Sequence, residues 1–220
     1  VQVRSVSLVH DAAVLRLEGK ALVLSCGCNP SQIFLKPYDG AANAVIENAG
    51  NLACLGAEPL CIVDCLNFAS PEHPEVAWQI EQCILGMGEM ARKMGIPIVG
   101  GNVSLYNESD EFDTRIMPTP SIGMLGRGEV RRWTAPNEGD LIALVGRTLP
   151  DFGGSVLDAV TGCGGPAPAM ADPAVVAIVR GLVASGSVTA ATDLSRGGLL
   201  AALAKVAPRA EVALAGDPLE

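Results

Sequence analysis

Two kinds of apolar spacing alternate along this chain. Residues 12–17, AAVLRL, and 21–25, ALVLS, are short apolar runs around Glu18-Gly19-Lys20. They predict two strands joined by a turn. Ala42, Val45, Ile46, Ala49, Leu52 and Ala53 recur every three or four residues, which is one stripe of a helix. Asp39 stands where that helix opens, as an N-cap or a first-turn acid, with a ligand role left open, and Gly56 ends it. PLCIVD, 59–64, predicts a buried strand with Asp64 at its carboxyl end. Pro74 is placed to start a second helix, with Val76, Ile80, Cys83, Ile84, Met87, Ala91 and Met94 on its apolar face and Gly95 at its close. IPIV, 96–99, predicts a strand that stops at Gly100-Gly101. NESDEFDTR, 107–115, reads as an exposed hairpin or mobile loop. SIGMLG, 121–126, is a further strand, and 130–133 a short edge strand.

APNEGD, 135–140, is the best boundary signal and predicts domains over 1–137 and 138–220. Beyond it, 141–146 and 188–191 predict strands. FGGS, 152–155, is a glycine turn before a short helix, and helices follow over 173–184 and 199–206. GCGGPAP, 162–168, is a flexible loop without GxGxxG spacing. Residues 211–214 begin another strand. The fold class is α/β, with α+β character and a mixed sheet.

The 220 residues are 49% hydrophobic and only 4% aromatic, so the core is aliphatic. The net charge of -9 argues against a nucleic-acid surface. An acidic chain that handles phosphate needs a metal ion or backbone dipoles to offset repulsion. Mean hydropathy is +0.35, yet no apolar run approaches the ~18 residues of a membrane span. The chain opens at Val1 and closes in DPLE, which reads as a segment of a longer protein. Seven cysteines in a long, core-rich chain predict buried, reduced thiols rather than a disulfide scaffold. With no CxxC pair and only His10 and His73, a structural zinc site is not expected. His10-Asp11 reads as an exposed loop.

Candidate chemistry gathers at Gly100-Gly101-Asn102-Val103-Ser104. Glycines let a backbone approach a ligand closely. Asn102 and Ser104 offer neutral oxygens to a cation or a phosphate-bearing substrate. Taken alone, a glycine-kinked turn with polar caps is the better explanation of the stretch, since glycine punctuation is usually structural. Asp64 adds weight, because ligands of α/β sheets gather at carboxyl strand ends. The next helix begins ten residues later, so capping explains Asp64 poorly. The two strand tips are expected to converge on one polar pocket. A second glycine-rich junction, Thr192 to Gly198, has backbone amides that can hold an anion.

DAAVLR (11–16), PYDGAANAV (37–45), NLACLGAEPLCIVDCLNF (51–68), GGNVSLYNE (100–108) and PTPSIG (118–123) resemble the phosphoribosylformylglycinamidine synthase family. The likeness is to the second half of its synthetase chain. DFGGS (151–155) and TDLSRGGL (192–199) resemble the start of the following domain. The resemblance implies an aminoimidazole ribonucleotide synthetase-like N-terminal domain, which pairs into a barrel-like core, followed by part of a C-terminal α/β domain. It implies a cytoplasmic ligase that uses ATP and Mg2+ to activate formylglycinamide ribonucleotide for attack by ammonia. The ammonia comes from a glutaminase subunit or domain, with a small bridging subunit as a further partner. By motif match, Asp64 and Gly101 contact ATP, Asn102 binds Mg2+ and Ser104 contacts substrate. The family's general base is a histidine in the first half of the synthetase, which nothing here matches. No residue of this segment is implied as catalytic, and the segment alone is expected to be inactive. The family usually has aspartates where this chain has Gly27 and Lys36, and HDxSDGG where it has Thr192 to Gly198. Lys36 and Arg196 can instead contact phosphate directly, or the half holds a non-catalytic nucleotide, or none.

Overall fold

The structure is a computed structural model that describes residues 5–9, 12–18, 20–129, 133–134 and 136–207. Its centre is a six-stranded mixed sheet. The strands are β1 (Ser5–Val9), β2 (Ala12–Leu17), β3 (Lys20–Gly27), β4 (Glu58–Asn67), β5 (Ile98–Ser104) and β8 (Thr119–Gly128), in the order β1-β2-β3-β8-β4-β5. Only β4 and β5 run parallel. The connection between them is the long helix α3 (Pro74–Met94), as a parallel crossover requires. Strands β6 (Glu108–Ser109) and β7 (Thr114–Arg115) form a separate hairpin, which settles the reading of residues 107–115.

Helices α1 (Pro30–Leu35), α2 (Pro37–Ala53) and α3 precede or follow these strands. Pro37 and Pro74 occupy first turns, where their missing N–H groups cost nothing. Asp39 is a first-turn acid of α2, while Lys36 is the N-cap residue. Gly95 closes α3 in the left-handed conformation at φ 67°. The alternation of β3 puts Ala21, Val23 and Ser25 in the core beneath α2 and leaves Leu24 and Cys26 exposed. In β4, Ile62 and Leu66 are buried while Val63 and Cys65 are exposed. One sheet face is thus covered by helices and the other carries exposed apolar side chains.

Most of α2 is buried, with Ala41, Ala42, Val45, Ile46, Ala49, Leu52 and Ala53 in the core. Its small residues let the sheet and α3 approach it closely. At Gly86 of α3 an added Cβ would overlap the Tyr38 carbonyl oxygen and lie 2.9 Å from its carbon. A buried polar knot ties α2 to β3. Asn48 donates to Gly27 O at 3.1 Å and accepts from Ser25 Oγ at 2.9 Å.

After residue 133 the described residues contain helices α4 (Val156–Thr161), α5 (Ala174–Ser185) and α6 (Gly198–Val206). Val176 and Val183 of α5 are buried. Asn43 of α2 donates to Ala169 O at 3.0 Å and accepts from Ala171 N at 2.8 Å. Asn29 donates to Gly154 O at 3.5 Å.

Several expectations are corrected. Strand β4 continues to Asn67, so Asp64 lies inside it, three residues before its end. Strand β5 runs through Gly100-Gly101 to Ser104 instead of stopping there. Ile84 is exposed, and Gly86 and Met90 take the packed face of α3. Residues 141–146 and 188–191 form no strands, and Leu141 is 96% exposed. A strand has no hydrogen bonds of its own and forms only where a neighbour pairs with it. The thiols are free, but only Cys54 and Cys83 are buried, while Cys26, Cys65 and Cys163 are exposed. Burial pushes the Cys83 thiol up to about 12. His10-Asp11, most of the 130–133 strand and the 211–214 strand lie outside the described residues.

Candidate functional site

The parallel β4–β5 ladder sets the site. Its partners are Val63 with Gly100, Asp64 with Gly101, Cys65 with Asn102, Leu66 with Val103 and Asn67 with Ser104. Partners across a ladder share a face, and successive residues alternate. Asp64 and Gly101 therefore lie together. An added Cβ on Gly101 would run into Asp64 Oδ1, with Cγ at 2.5 Å. Only glycine leaves space for that carboxylate. Burial pushes the Asp64 carboxyl above the usual carboxylate range. Among the described residues it has no hydrogen-bond or ion-pair partner.

Asn102 and Ser104 lie on the other face of the pair, beside Cys65 and Asn67. The four expected residues are thus brought within one short stretch of ladder, but as two pairs. Asp64 with Gly101 forms one, and Asn102 with Ser104 forms the other. The single converging pocket expected from the strand tips does not follow from this register. A one-residue offset sends the carboxylate and the amide to opposite faces.

At the carboxyl end the site is held by loop contacts. Phe68 N donates to Ser104 O at 3.0 Å, and Tyr106 N to Ala69 O at 3.3 Å. Asn107 Nδ2 donates to Phe68 O at 3.0 Å and to Ser104 O at 2.9 Å. Ser104 Oγ donates to Asn107 Oδ1 at 3.2 Å. Glu108 accepts from Ser70 N at 3.0 Å and lies 3.4 Å from His73 Nε2. The Ser70 amide, then His73 and Arg115, hold the Glu108 carboxyl below the usual range. These contacts join the loop after β4 to the turn after β5. Asn107 and Glu108 read from sequence as part of a solvated acidic loop. Their position immediately after an apolar strand and polar Ser104 was the available signal.

Other sequence candidates have structural partners. Lys36 Nζ lies 3.7 Å from Asp39 Oδ2. The Asn51 amide, oriented to donate, reaches both Asp193 carboxylate oxygens at 3.2 Å, which anchors the Thr192–Gly198 junction to α2. Arg196 is exposed. A Cβ on Gly27 would lie 4.0 Å from Glu47 Oε1, so an aspartate there would extend beside another carboxylate.

As a metal centre the set is incomplete by itself. Among the described residues no group of three His, Cys, Asp or Glu is arranged to hold an ion. Asn102 can supply one neutral oxygen to Mg2+. That ion commonly keeps several waters and takes its remaining ligands from carboxylates and substrate phosphates. A Mg2+ that keeps its water and phosphate ligands would need only one protein oxygen, which is what Asn102 offers.

Residues 9–128 match the family model described as AIR synthase related protein, N-terminal domain. The chain belongs to this family. Among AIR synthase related relatives, the phosphoribosylformylglycinamidine synthase subunit PurL of Methanosarcina acetivorans is 49% identical over 206 residues, covering 90% of this chain and 29% of that protein. The subunit of the same name from Anaeromyxobacter dehalogenans is 45% identical over 223 residues, covering 94% of this chain and 29% of its own. Among solved structures, phosphoribosylformylglycinamidine synthase II from Thermotoga maritima aligns with a TM-score of 0.50 at 29% identity, over 53% of this chain and 20% of that one. The chain therefore spans about 29% of the length of these curated relatives.

Proposed function

We propose that this segment is part of an ATP-dependent ligase, phosphoribosylformylglycinamidine synthase. The whole enzyme converts formylglycinamide ribonucleotide, ATP and glutamine-derived ammonia to formylglycinamidine ribonucleotide in purine biosynthesis. One observation carries this reading: relatives of that name are 45–49% identical over at least 90% of the chain. Asp64 and Gly101 contact ATP, Asn102 binds Mg2+ and Ser104 contacts the ribonucleotide. Phosphoryl transfer depends on positioning and charge neutralisation. An open glycine backbone and a carboxylate that has no partner among the described residues suit the nucleotide side of that task. Mg2+, when bound, offsets the charge of the transferring phosphate. Asn102 helps to fix where it sits.

The segment acts with the first half of the synthetase, whose paired domain covers the exposed apolar sheet face of Leu24 and Val63. In this reading the domains divide near residue 137. A glutaminase subunit or domain and a small bridging subunit complete the enzyme, which works in the cytoplasm. No described helix is long and apolar enough to cross a membrane.

Replacing Asn102 by Ala in the full-length enzyme tests the reading. Loss of a metal ligand is expected to lower kcat roughly ten- to a hundredfold, with partial recovery at high Mg2+. Unchanged kinetics at every Mg2+ concentration would reject the assignment.

A second reading is a half that binds nucleotide without chemistry, or is structural only. It is favoured by Gly27 and by the commitment of Lys36 to Asp39 and of Asp193 to Asn51. Calorimetry with ATP and Mg2+ separates the two. Absence of heat at millimolar nucleotide supports the structural role.

A further inference from the structure

The Ser104 hydroxyl and the Asn107 carboxamide together restrict what Ser104 can recognise. An Asn side chain has two N–H hydrogens, and a Ser hydroxyl has one. Asn107 Nδ2 lies 3.0 Å from Phe68 O and 2.9 Å from Ser104 O. Both are carbonyl oxygens that can only accept, so they take both hydrogens. Nδ2 also lies 3.1 Å from Ser104 Oγ, but no hydrogen remains for that contact. The bond left to the pair is Ser104 Oγ–H donating to Asn107 Oδ1, at 3.2 Å. The only proton of Ser104 is thereby directed inward, and its lone pairs are what it can offer a ligand.

The frame that fixes this arrangement is closed on each side. Ser104 O accepts from both Phe68 N and Asn107 Nδ2. Phe68 O accepts from both Asn107 N at 3.2 Å and Asn107 Nδ2. Asn107 O accepts from Ile116 N at 3.0 Å, which ties the turn to the segment entering β8. Rotating the carboxamide by half a turn would set Oδ1 against two carbonyl oxygens and take from each the second of its two donors. Two lost hydrogen bonds and oxygen facing oxygen are costly, so the amide has one sense.

We propose that Asn107 is a positioning residue that holds the Ser104 hydroxyl as a hydrogen-bond acceptor, so the ligand atom meeting Ser104 is a donor. This rests on the reading that Ser104 contacts the ribonucleotide. Such a substrate offers two classes of donor, ribose hydroxyls and amide N–H groups. Its phosphate dianion offers only acceptors and is excluded as the partner of Ser104.

The test uses the full-length synthetase chain, steady-state kinetics and two kinds of probe. Loss of one neutral hydrogen bond is expected to raise KM for formylglycinamide ribonucleotide roughly fivefold to tenfold in Ser104→Ala, with kcat changed less than about twofold. Analogues with the 2′- or 3′-hydroxyl converted to a methyl ether, which keeps the acceptor and removes the proton, or with the amide nitrogen methylated, are assayed in turn. One of them is expected to lose the same factor with the native chain and nothing further with Ser104→Ala. Competitive inhibition by inorganic phosphate is expected to be equal in both. Asn107→Leu is expected to raise KM as Ser104→Ala does, without adding to it in the double variant, a non-additivity that general unfolding would not produce. Should Asn107→Leu fail to fold, the analogue series still decides the matter. If KM rises in Ser104→Ala, but inhibition by phosphate weakens and every analogue stays additive, the acceptor assignment is overturned and the substrate contact stands. If no parameter changes in Ser104→Ala, the substrate contact and the acceptor assignment fall together.

Discussion

The region built on the six-stranded sheet and the region after residue 133 hold their elements in different ways. In the first, β2, β3, β4 and β8 each pair with strands on both sides, and α2 is packed against both sheet and α3. In the second, the described residues form helices and no strands, and α5, with Val176 and Val183 buried, packs against α2. A helix closes its hydrogen bonds within itself, whereas a strand depends on a neighbour. The difference teaches where substitutions will be felt. Close packing governs the first region, and local helix preference governs much of the second.

The sharpest way to break this comparison is Gly86→Ala. The new methyl group would overlap the Tyr38 carbonyl at the α2–α3 contact. Backbone cannot move aside as a flexible side chain can. The expected loss is about 2–3 kcal/mol of stability in the sheet-bearing region. Chemical denaturation of the full-length chain measures it, and an unchanged midpoint would mean that α2 and α3 are not so closely apposed.

The joint between the regions is the next target. Asn43→Ala removes the bonds to Ala169 O and Ala171 N. The expected cost is about 1 kcal/mol, because these groups can rebond to water. Amide exchange should quicken around residues 169–185 and stay unchanged in β3, β4 and β8. Equal quickening in both regions would show that they unfold as one unit.

Acid gives a smaller, graded effect on the loop clasp beside Ser104. Glu108 is held below the usual carboxylate range, first by the Ser70 amide and then by His73 and Arg115. Its native carboxyl therefore takes up a proton less readily than the unfolded one. The stabilisation is complete above the ordinary glutamate value of about 4.3 and is lost as pH falls through the lower native value. Glu108→Gln should flatten that part of the stability profile. A profile unchanged below about pH 4.3 would mean that the clasp does not depend on this charge.

Apart from α1 (Pro30–Leu35), which is too short to show an apolar stripe and was not expected, the helices were readable because their apolar spacing is a local property of the chain. Pro37, Pro74, Gly56 and Gly95 also stand near the ends that they mark. Strand identity in the first region was readable except for β1, which was not expected, but strand length was not. Gly100-Gly101 punctuates a sequence, yet paired with Val63 and Asp64 it continues a ladder. The candidate residues were found by their chemistry and by resemblance. Their division between two faces was not readable, because register is fixed by pairing between β4 and β5 and appears in neither strand alone. The strands expected at 141–146 and 188–191 fail for the same reason: apolar alternation gives a strand its face, and the partner must come from elsewhere.

The smallest effect is also the most direct contrast, because it is the same substitution with the opposite sign. Gly181 lies within α5, is exposed, and has nothing within 4 Å of an added Cβ. Alanine there meets no neighbour and restricts the unfolded chain. The expected gain is about 0.5–1 kcal/mol in local helix stability. Slower amide exchange within residues 174–185 would register it, with no change in the sheet. A loss instead of a gain would place another surface of the full-length protein against this side of α5. In that case packing, and not local preference, would govern both regions.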